Sequence, residues 1–345
     1  MILFNSDYTE GAHERILRRL AETNLEQTPG YGCDNYCLQA AQVIQKLCQR
    51  EVQVHFLVGG TQTNTTVIAS LLHPYQGVLA PDTGHIAVHE TGAVEGTGHK
   101  VLTLPGREGK ISAQQIEEAV RAHREDASAE HMVQPKMVYI SQPTEFGTLY
   151  TRAELSAIYQ VCRAYSLYLF VDGARLAYGM EAPDNDITLP ELASMCDVFY
   201  IGGTKAGALF GEAVVFTKPG LGEEFRYMIK HQGGMLAKGR LLGLQFLELL
   251  KDGLYWELGQ NGDKMADRLR EAFREAGYPL LVENRTNQIF PIIPDEHLAR
   301  LSESFGFEYQ KRIDDSHSAV RFCTGWATTE AQVQALVDAI REINK

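Results

Sequence analysis

Four stretches of this 345-residue chain set reactive side chains directly behind short apolar runs. Residues 167–171 lead into Asp172-Gly173-Ala174-Arg175, and residues 198–201 into Gly202-Gly203-Thr204-Lys205-Ala206-Gly207. Residues 52–58 lead into Gly59-Gly60-Thr61-Gln62-Thr63-Asn64, and residues 77–80 into a segment holding His85, His89 and Glu90. A lysine among small residues leaves room for a bulky ring and is a candidate Schiff-base nucleophile; taken alone it is more simply a solvated surface lysine. An aspartate with an arginine three residues on can hold a ligand from two sides, or form a structural ion pair. Small residues opening a helix expose N–H groups at the positive end of its dipole, where an anion binds, although a plain strand–helix turn has the same composition. That turn carries neither G-K-[ST] nor G-x-G-x-x-G. His85 and His89 stand at i, i+4, but neither H-E-x-x-H nor H-x-x-E-H is present and no third ligand is apparent, so no metal site is expected. An imidazole stacked on a flat cofactor, or a packed histidine, suits His85 as well.

These residues need a scaffold that brings the ends of several strands together. Strands are predicted over 52–58, 77–80, 100–104, 137–140, 167–171, 198–201 and 213–216, several of them apolar almost throughout, as a sheet covered on both faces requires. Helical patterns over 64–72, 112–124 and 152–165 alternate with them. Ser112 and Gln115 form a predicted capping box, and Leu155, Ile158, Cys162 and Tyr165 recur on one face. The alternation predicts an α/β fold with a mostly parallel seven-stranded sheet, whose ligands bind outside the strands' carboxyl ends. After about residue 235 the pattern changes to long helices over 238–251 and 255–276. Short strands follow over 280–283, 288–293 and 319–323, then a helix over 330–343. The expected division is a large α/β domain over 1–250, including the N-terminal arm, and a smaller α+β domain over 251–345.

Composition narrows the partners. The net charge of −12 repels phosphate backbones, so nucleic acid is not expected as a partner. No apolar run reaches membrane-spanning length, the first residues lack a secretory pattern, and none of the six cysteines forms C-x-x-C. The expectation is a cytoplasmic protein with reduced thiols.

Together the four segments form a kit. A lysine lies 33 residues after an aspartate, with an anion loop and a histidine upstream, all behind strands of one sheet. Pyridoxal 5'-phosphate needs these groups: a helix N-terminus for its phosphate, a lysine for its aldehyde, and a carboxylate that keeps its pyridine nitrogen protonated so that the ring acts as an electron sink.

Over nearly its whole length the chain resembles the threonine aldolase branch of the β-eliminating lyase family, of fold type I. The resemblance runs through Phe4-Asn5-Ser6-Asp7-Tyr8-Thr9, Tyr31-Gly32, Gly60-Thr61-Gln62-Thr63-Asn64, His85-Ile86, Glu90-Thr91-Gly92-Ala93, Asp172-Gly173-Ala174-Arg175, Thr204-Lys205-Ala206-Gly207 and Arg321-Phe322-Cys323-Thr324-Gly325-Trp326-Ala327-Thr328-Thr329. It implies that Lys205 carries the cofactor, that Asp172 partners the pyridinium nitrogen and that His85 stacks on the ring. Gly60, Thr61, Gln62 and Thr204 correspond to phosphate ligands. Ser6, Arg175 and Arg321 correspond to positions that hold the substrate carboxylate or cofactor oxygens. Tyr31 corresponds to a residue supplied by the neighbouring subunit of a dimer or tetramer, and Glu90 to an acid that handles a proton or orients water.

The implied reaction cleaves the Cα–Cβ bond of a β-hydroxy-α-amino acid, such as threonine, allo-threonine or phenylserine, to glycine and an aldehyde. The alternatives are a β-elimination or aminotransferase reaction with the same cofactor, or cofactor binding without turnover. Two departures stand out. Thr144 occupies the place of a family histidine near the substrate hydroxyl, leaving Glu145, His89 or a water held by Glu90 as substitutes. Leu236 occupies the place of an arginine reaching a neighbour's phosphate, leaving Lys238 or Arg240.

Overall fold

The computed structural model describes residues 1–343. The first eight strands are β1 (Ile2–Leu3), β2 (Gln53–Leu57), β3 (Gln76–Pro81), β4 (Lys100–Leu104), β5 (Gln134–Ser141), β6 (Tyr168–Asp172), β7 (Val198–Gly202) and β8 (Glu212–Phe216). Seven of them form one sheet in the order β2-β8-β7-β6-β5-β3-β4. Pairings from β7 through β4 are parallel, and β8 runs antiparallel to both β7 and β2. Strand β2 therefore points the same way as β7, and six carboxyl ends share one edge.

Alternation along each strand divides the buried side chains between two cores. Val138, Ile140, Leu169, Val171, Phe199, Ile201 and Val215 pack with Ile44, Ile158, Leu176 and Tyr255 on one face. Tyr139, Phe170, Tyr200, Val214 and Phe216 pack with Val67, Ile68 and Phe225 on the other. Each such side chain contributes about 1.5–3 kcal/mol by leaving water. The helices covering these faces start where local chemistry satisfies their free N–H groups. Ser112 and Gln115 cap Ala113–Glu125, and Thr151 and Glu154 cap Arg152–Tyr165, each by a reciprocal pair of side-chain bonds.

The remaining strands are β9 (Gln288–Ile289), β10 (Ile292–Pro294), β11 (Phe305–Gly306), β12 (Glu308–Arg312) and β13 (His317–Cys323). In the smaller sheet β13 pairs antiparallel with β10, β12 and β9. Leu269, Phe273, Val320, Phe322, Leu336 and Ile340 form the core beneath it. Strand β1 pairs with β11, and Phe4 is buried in this same core. The chain's first residues are thus fastened to its C-terminal layer before Asp7 turns back toward the large sheet.

Two expected strands and one helix boundary differ here. Residues 280–283 form no strand: Leu280 makes a single bridge to Pro291, and the flanking Pro279 has no N–H to extend a ladder. The run 288–293 is two strands, because Pro291 interrupts it in the same way. The segment 64–72 also begins earlier, as the helix Gly60–Leu71. Strand β12 escaped sequence reading because its side chains are mostly exposed and charged.

Candidate active site

Strand register places the reactive segments side by side. Leu57 pairs with Glu212, and Glu212 with Gly202; Ser141 pairs with Asp172. Asp172 is the last residue of β6 and is buried. Its Oδ1 accepts from the Ala174 N–H at 2.9 Å, and its Oδ2 accepts from the Tyr139 hydroxyl at 2.5 Å and the Asn64 amide at 3.4 Å. Three donors from three elements fix this carboxylate's orientation.

Lys205 lies in the turn between β7 and β8, which Gly207 makes possible by adopting φ +95°. The Tyr178 hydroxyl donates to the Lys205 carbonyl at 2.5 Å and pins the turn. The Lys205 amine makes no hydrogen bond or ion pair with any described residue; it lies 5.9 Å from the centre of the Tyr8 ring. Burial, followed by the Arg175 charge, lowers its pKa against the opposing pull of Asp7, Asp172 and Glu212. A lowered pKa favours the neutral, nucleophilic amine.

His85 opens a short helix behind β3. Its Nδ1 lies 2.7 Å from Glu90 Oε1, which also accepts from the Asn64 amide at 2.7 Å. The second Glu90 oxygen is buried and without a partner. Glu145 sits beneath this group: its Oε1 accepts from the His85 N–H at 2.9 Å and the Ser141 hydroxyl at 2.7 Å. Burial raises the Glu145 pKa. The Thr144 hydroxyl is buried and lies 2.7 Å from that of Thr148, so it faces the chain's own turn.

Two arginines hold the N-terminal segment, at Asp7 and at Asn5. Arg175 donates from Nε and Nη2 to the two oxygens of Asp7, at 2.7 and 3.2 Å. Asn287 donates to the same carboxylate at 2.9 Å. Burial favours the neutral acid, but Arg175 and Lys205 outweigh it and hold the Asp7 pKa down at about 2. Arg321 pairs with Glu308, donates to the Asn5 carbonyl at 2.9 Å, and keeps a buried Nε without a partner. Ser6 is half-buried between Asn5 and Asp7, and thus between the two arginine contacts.

The helix Gly60–Leu71 starts from Gly59 in an extended conformation, with no side chain capping it. Its first N–H groups, from Gly60 to Gln62, are left for another acceptor. Thr61 is exposed, while the Gln62 side chain turns back to accept from the Val58 N–H at 3.3 Å. Thr204 donates its hydroxyl to Glu212 at 2.8 Å and accepts from the Gly211 N–H at 3.0 Å.

Other sequence-derived candidates lie apart. Tyr31 is exposed, at φ 60°, with Lys230 over its ring at 4.9 Å. Arg240 is buried and spent on the Thr23 and Glu26 carbonyls and the Thr23 hydroxyl, so of the two cations near Leu236 only Lys238 is exposed. No group of three or more metal-ligating side chains occurs among the described residues.

Sequence reading missed Asn64 as a bridge, Tyr139, Asp7, Asn287 and Glu212. One signal was available for Glu212: it is the sole charge in the apolar run Glu212-Ala213-Val214-Val215-Phe216. It is buried, its Oε2 has no partner, and burial raises its pKa.

The donor set suits pyridoxal phosphate. It offers an uncommitted lysine amine, an oriented carboxylate, an imidazole fixed by its own acid and an uncapped helix start. Two buried carboxylate oxygens, one each on Glu90 and Glu212, await partners.

Comparison with known proteins points the same way. The family model for beta-eliminating lyases matches residues 4–295. A low-specificity L-threonine aldolase of Pseudomonas sp. (strain NCIMB 10558) is 30% identical over 345 residues, covering 99% of this chain and 97% of that protein. A Leishmania major threonine aldolase structure matches with a TM-score of 0.97 and 42% identity over the full length of both chains. A Thermus thermophilus aspartate aminotransferase mutant, 13% identical with a TM-score of 0.73 over 99% of this chain and 91% of its own, shares the fold.

Proposed function

The chain belongs to the beta-eliminating lyase family, and we propose that it cleaves the Cα–Cβ bond of a β-hydroxy-α-amino acid, releasing glycine and an aldehyde. It is a pyridoxal-phosphate-dependent carbon–carbon lyase. The observation that carries the proposed reaction is the full-length, 42% identity to a threonine aldolase structure. The uncommitted Lys205 amine, on the same sheet edge as the oriented Asp172 carboxylate, supports it.

Bound at this edge, pyridoxal phosphate supplies an electron sink for the pair released when the Cα–Cβ bond breaks. Lys205 would hold it through its aldehyde until substrate arrives. Asp172 would keep the pyridine nitrogen protonated, its charge aimed by Tyr139, Asn64 and the Ala174 N–H. The N–H groups of Gly60, Thr61 and Gln62, with Thr204, would bind the phosphate at the positive end of the helix. His85, held by Glu90, would lie against the ring. Glu90 would also orient water through its free oxygen.

The substrate carboxylate falls to Arg175 and Arg321 with Ser6, guanidinium groups being suited to paired contacts with carboxylates. Tyr31 would be offered to a neighbouring subunit's site, in keeping with its exposure. The reading thus includes a homo-oligomer, dimer or tetramer, with shared sites.

The test is a product assay. Purified, cofactor-loaded protein is incubated with L-threonine, L-allo-threonine, D-threonine and phenylserine, and glycine and aldehyde are quantified. Equal amounts of the two products from at least one substrate are expected. Lys205→Ala should lose both the cleavage and the visible absorbance of lysine-bound cofactor. Absence of aldehyde from every substrate overturns the proposal, and pyruvate with ammonia would point to β-elimination instead.

A further inference from the structure

Cleavage of a β-hydroxy acid requires a group that takes the hydroxyl proton as the aldehyde forms. Resting on the reading above, we infer that His89 is that group. His89 ends the short helix His85–Val88, its N–H donating to the His85 carbonyl at 2.9 Å. One helical turn therefore fixes it beside His85, with ring centres 5.6 Å apart. The ring is exposed, and its nitrogens make no hydrogen bond with any described residue.

Charges from separate elements face this ring. His85 lies on its own helix, Glu308 on β12, Arg321 on β13 and Lys205 in the turn after β7. A substrate whose carboxylate meets Arg321 and whose amine takes the place of Lys205 has its Cα between the two. The His89 ring, exposed and within electrostatic reach of both anchors, is then open to a β-hydroxyl on the solvent side. Burial, the His85 charge and the charges of Arg321 and Lys205 lower the His89 pKa, against Glu308, which raises it. The imidazole is accordingly neutral, and able to accept a proton, at neutral pH.

The other bases nearby each already hold a partner, and the one Glu90 oxygen left free is buried, unlike the His89 ring. His85 Nδ1 is held by Glu90, and Glu90 Oε1 is shared with Asn64. Glu145 Oε1 accepts two hydrogen bonds, Thr144 is tied to Thr148, and Glu308 pairs with Arg321. In the step itself, a ring nitrogen of His89 takes the hydroxyl proton. The O–H electron pair becomes the second bond of the aldehyde carbonyl, and the Cα–Cβ pair remains on Cα. A solvent proton then completes glycine, and the imidazolium returns its proton to solvent, so protons and electrons balance without an oxidant.

The experiment compares wild type with His89→Asn and His89→Gln. The variants should lose 10²- to 10⁴-fold in kcat for cleavage, the range expected for a general base. KM and the dissociation constant for pyridoxal phosphate, read by equilibrium dialysis on the apoprotein, should stay within about twofold, since neither depends on that proton transfer. Exchange of the glycine Cα proton with heavy water, followed by NMR, needs no hydroxyl base and should be retained. The fall of wild-type kcat at low pH should vanish in the variants. Cleavage rates retained within about threefold, against the loss expected of a missing base, overturn the inference. So does glycine exchange that falls in parallel with cleavage, which would make His89 a structural group. Wild-type cleavage that survives in the variants removes this inference alone; absence of any cleavage by wild type removes the function reading and the inference with it.

Discussion

Nδ1 of His85 lies 2.7 Å from Oε1 of Glu90, and that oxygen also accepts the Asn64 amide, whose nitrogen is 3.4 Å from Asp172. The imidazole proposed for one face of the cofactor and the carboxylate proposed for its ring nitrogen are thus linked through one shared side chain. Asn64 sits a helical turn beyond Gly60, so the same helix that orients both groups also carries the uncapped N-terminus proposed for the phosphate.

Glu90→Gln should weaken this linkage without altering the side chain's size. A hydrogen bond to a charged group contributes about 1.5–3 kcal/mol, so kcat/KM is expected to fall roughly 10- to 100-fold. Steady-state kinetics on the cofactor-loaded variant checks this, with circular dichroism confirming that the fold is retained.

The Asp7–Arg175 pair should make stability sensitive to acid. The folded-state pKa of Asp7 is held down at about 2, against an ordinary value of 3.8. Its contribution is therefore complete above pH 4 and is lost as pH falls toward 2, amounting to about 2 kcal/mol. Asp7→Asn leaves Arg175 without its charge partner and should cost about 3–5 kcal/mol at pH 7. Urea unfolding at pH 7 and near pH 2.5 checks both, with the gap between variant and wild type narrowing at the lower pH.

Glu212 predicts the opposite dependence. Its folded-state pKa is raised to about 8, chiefly by burial, from an ordinary 4.5. Between those values the folded protein holds a proton that the unfolded chain has released, so stability falls as pH rises from 4.5 to 8. Glu212→Gln keeps a neutral side chain at every pH. In the cofactor-free protein it should raise stability at pH 8 by about 1 kcal/mol or more, and by much less at pH 5. Thermal unfolding at the two pH values measures the difference.

Glu308 competes for Arg321. The pair involves a half-exposed carboxylate, and exposed pairs contribute at most about 1 kcal/mol. If Arg321 binds the substrate carboxylate, Glu308→Gln should lower KM by up to about fivefold, with kcat little changed, while Arg321→Ala should raise KM. An unchanged KM in Glu308→Gln would show that Glu308 does not obstruct the arginine.

Much of this was legible in linear order. Apolar runs alternating with amphipathic stretches specify a sheet covered on both faces, and a chain so built must bring its loops to the sheet's carboxyl edge. Ser112 with Gln115 announced a helix start because a capping box is a contact across three residues. Asp172 and Lys205 were conspicuous for the same reason: each follows a strand that local pattern already identifies. The fold class therefore needed no tertiary information, and the two residues proposed to hold the cofactor stood out in the same local pattern.

What had no local signature was the pairing of side chains far apart in the chain. Asp7 meets Arg175 across 168 residues, and Asn5 meets Arg321 across 316, because β1 is carried to β11 before the chain returns to the large sheet. No spacing rule covers such distances; packing in three dimensions sets them. Packing likewise separated Arg240, consumed internally, from Lys238, left in solvent, although both are cations three residues or fewer from Ala237. It also left the Lys205 amine free while tying Asp7 to Arg175 and Asn287, and Asp172 to Tyr139, Asn64 and the Ala174 N–H. Residue type supplied the chemistry of each group, and burial with partner geometry set whether that chemistry is available.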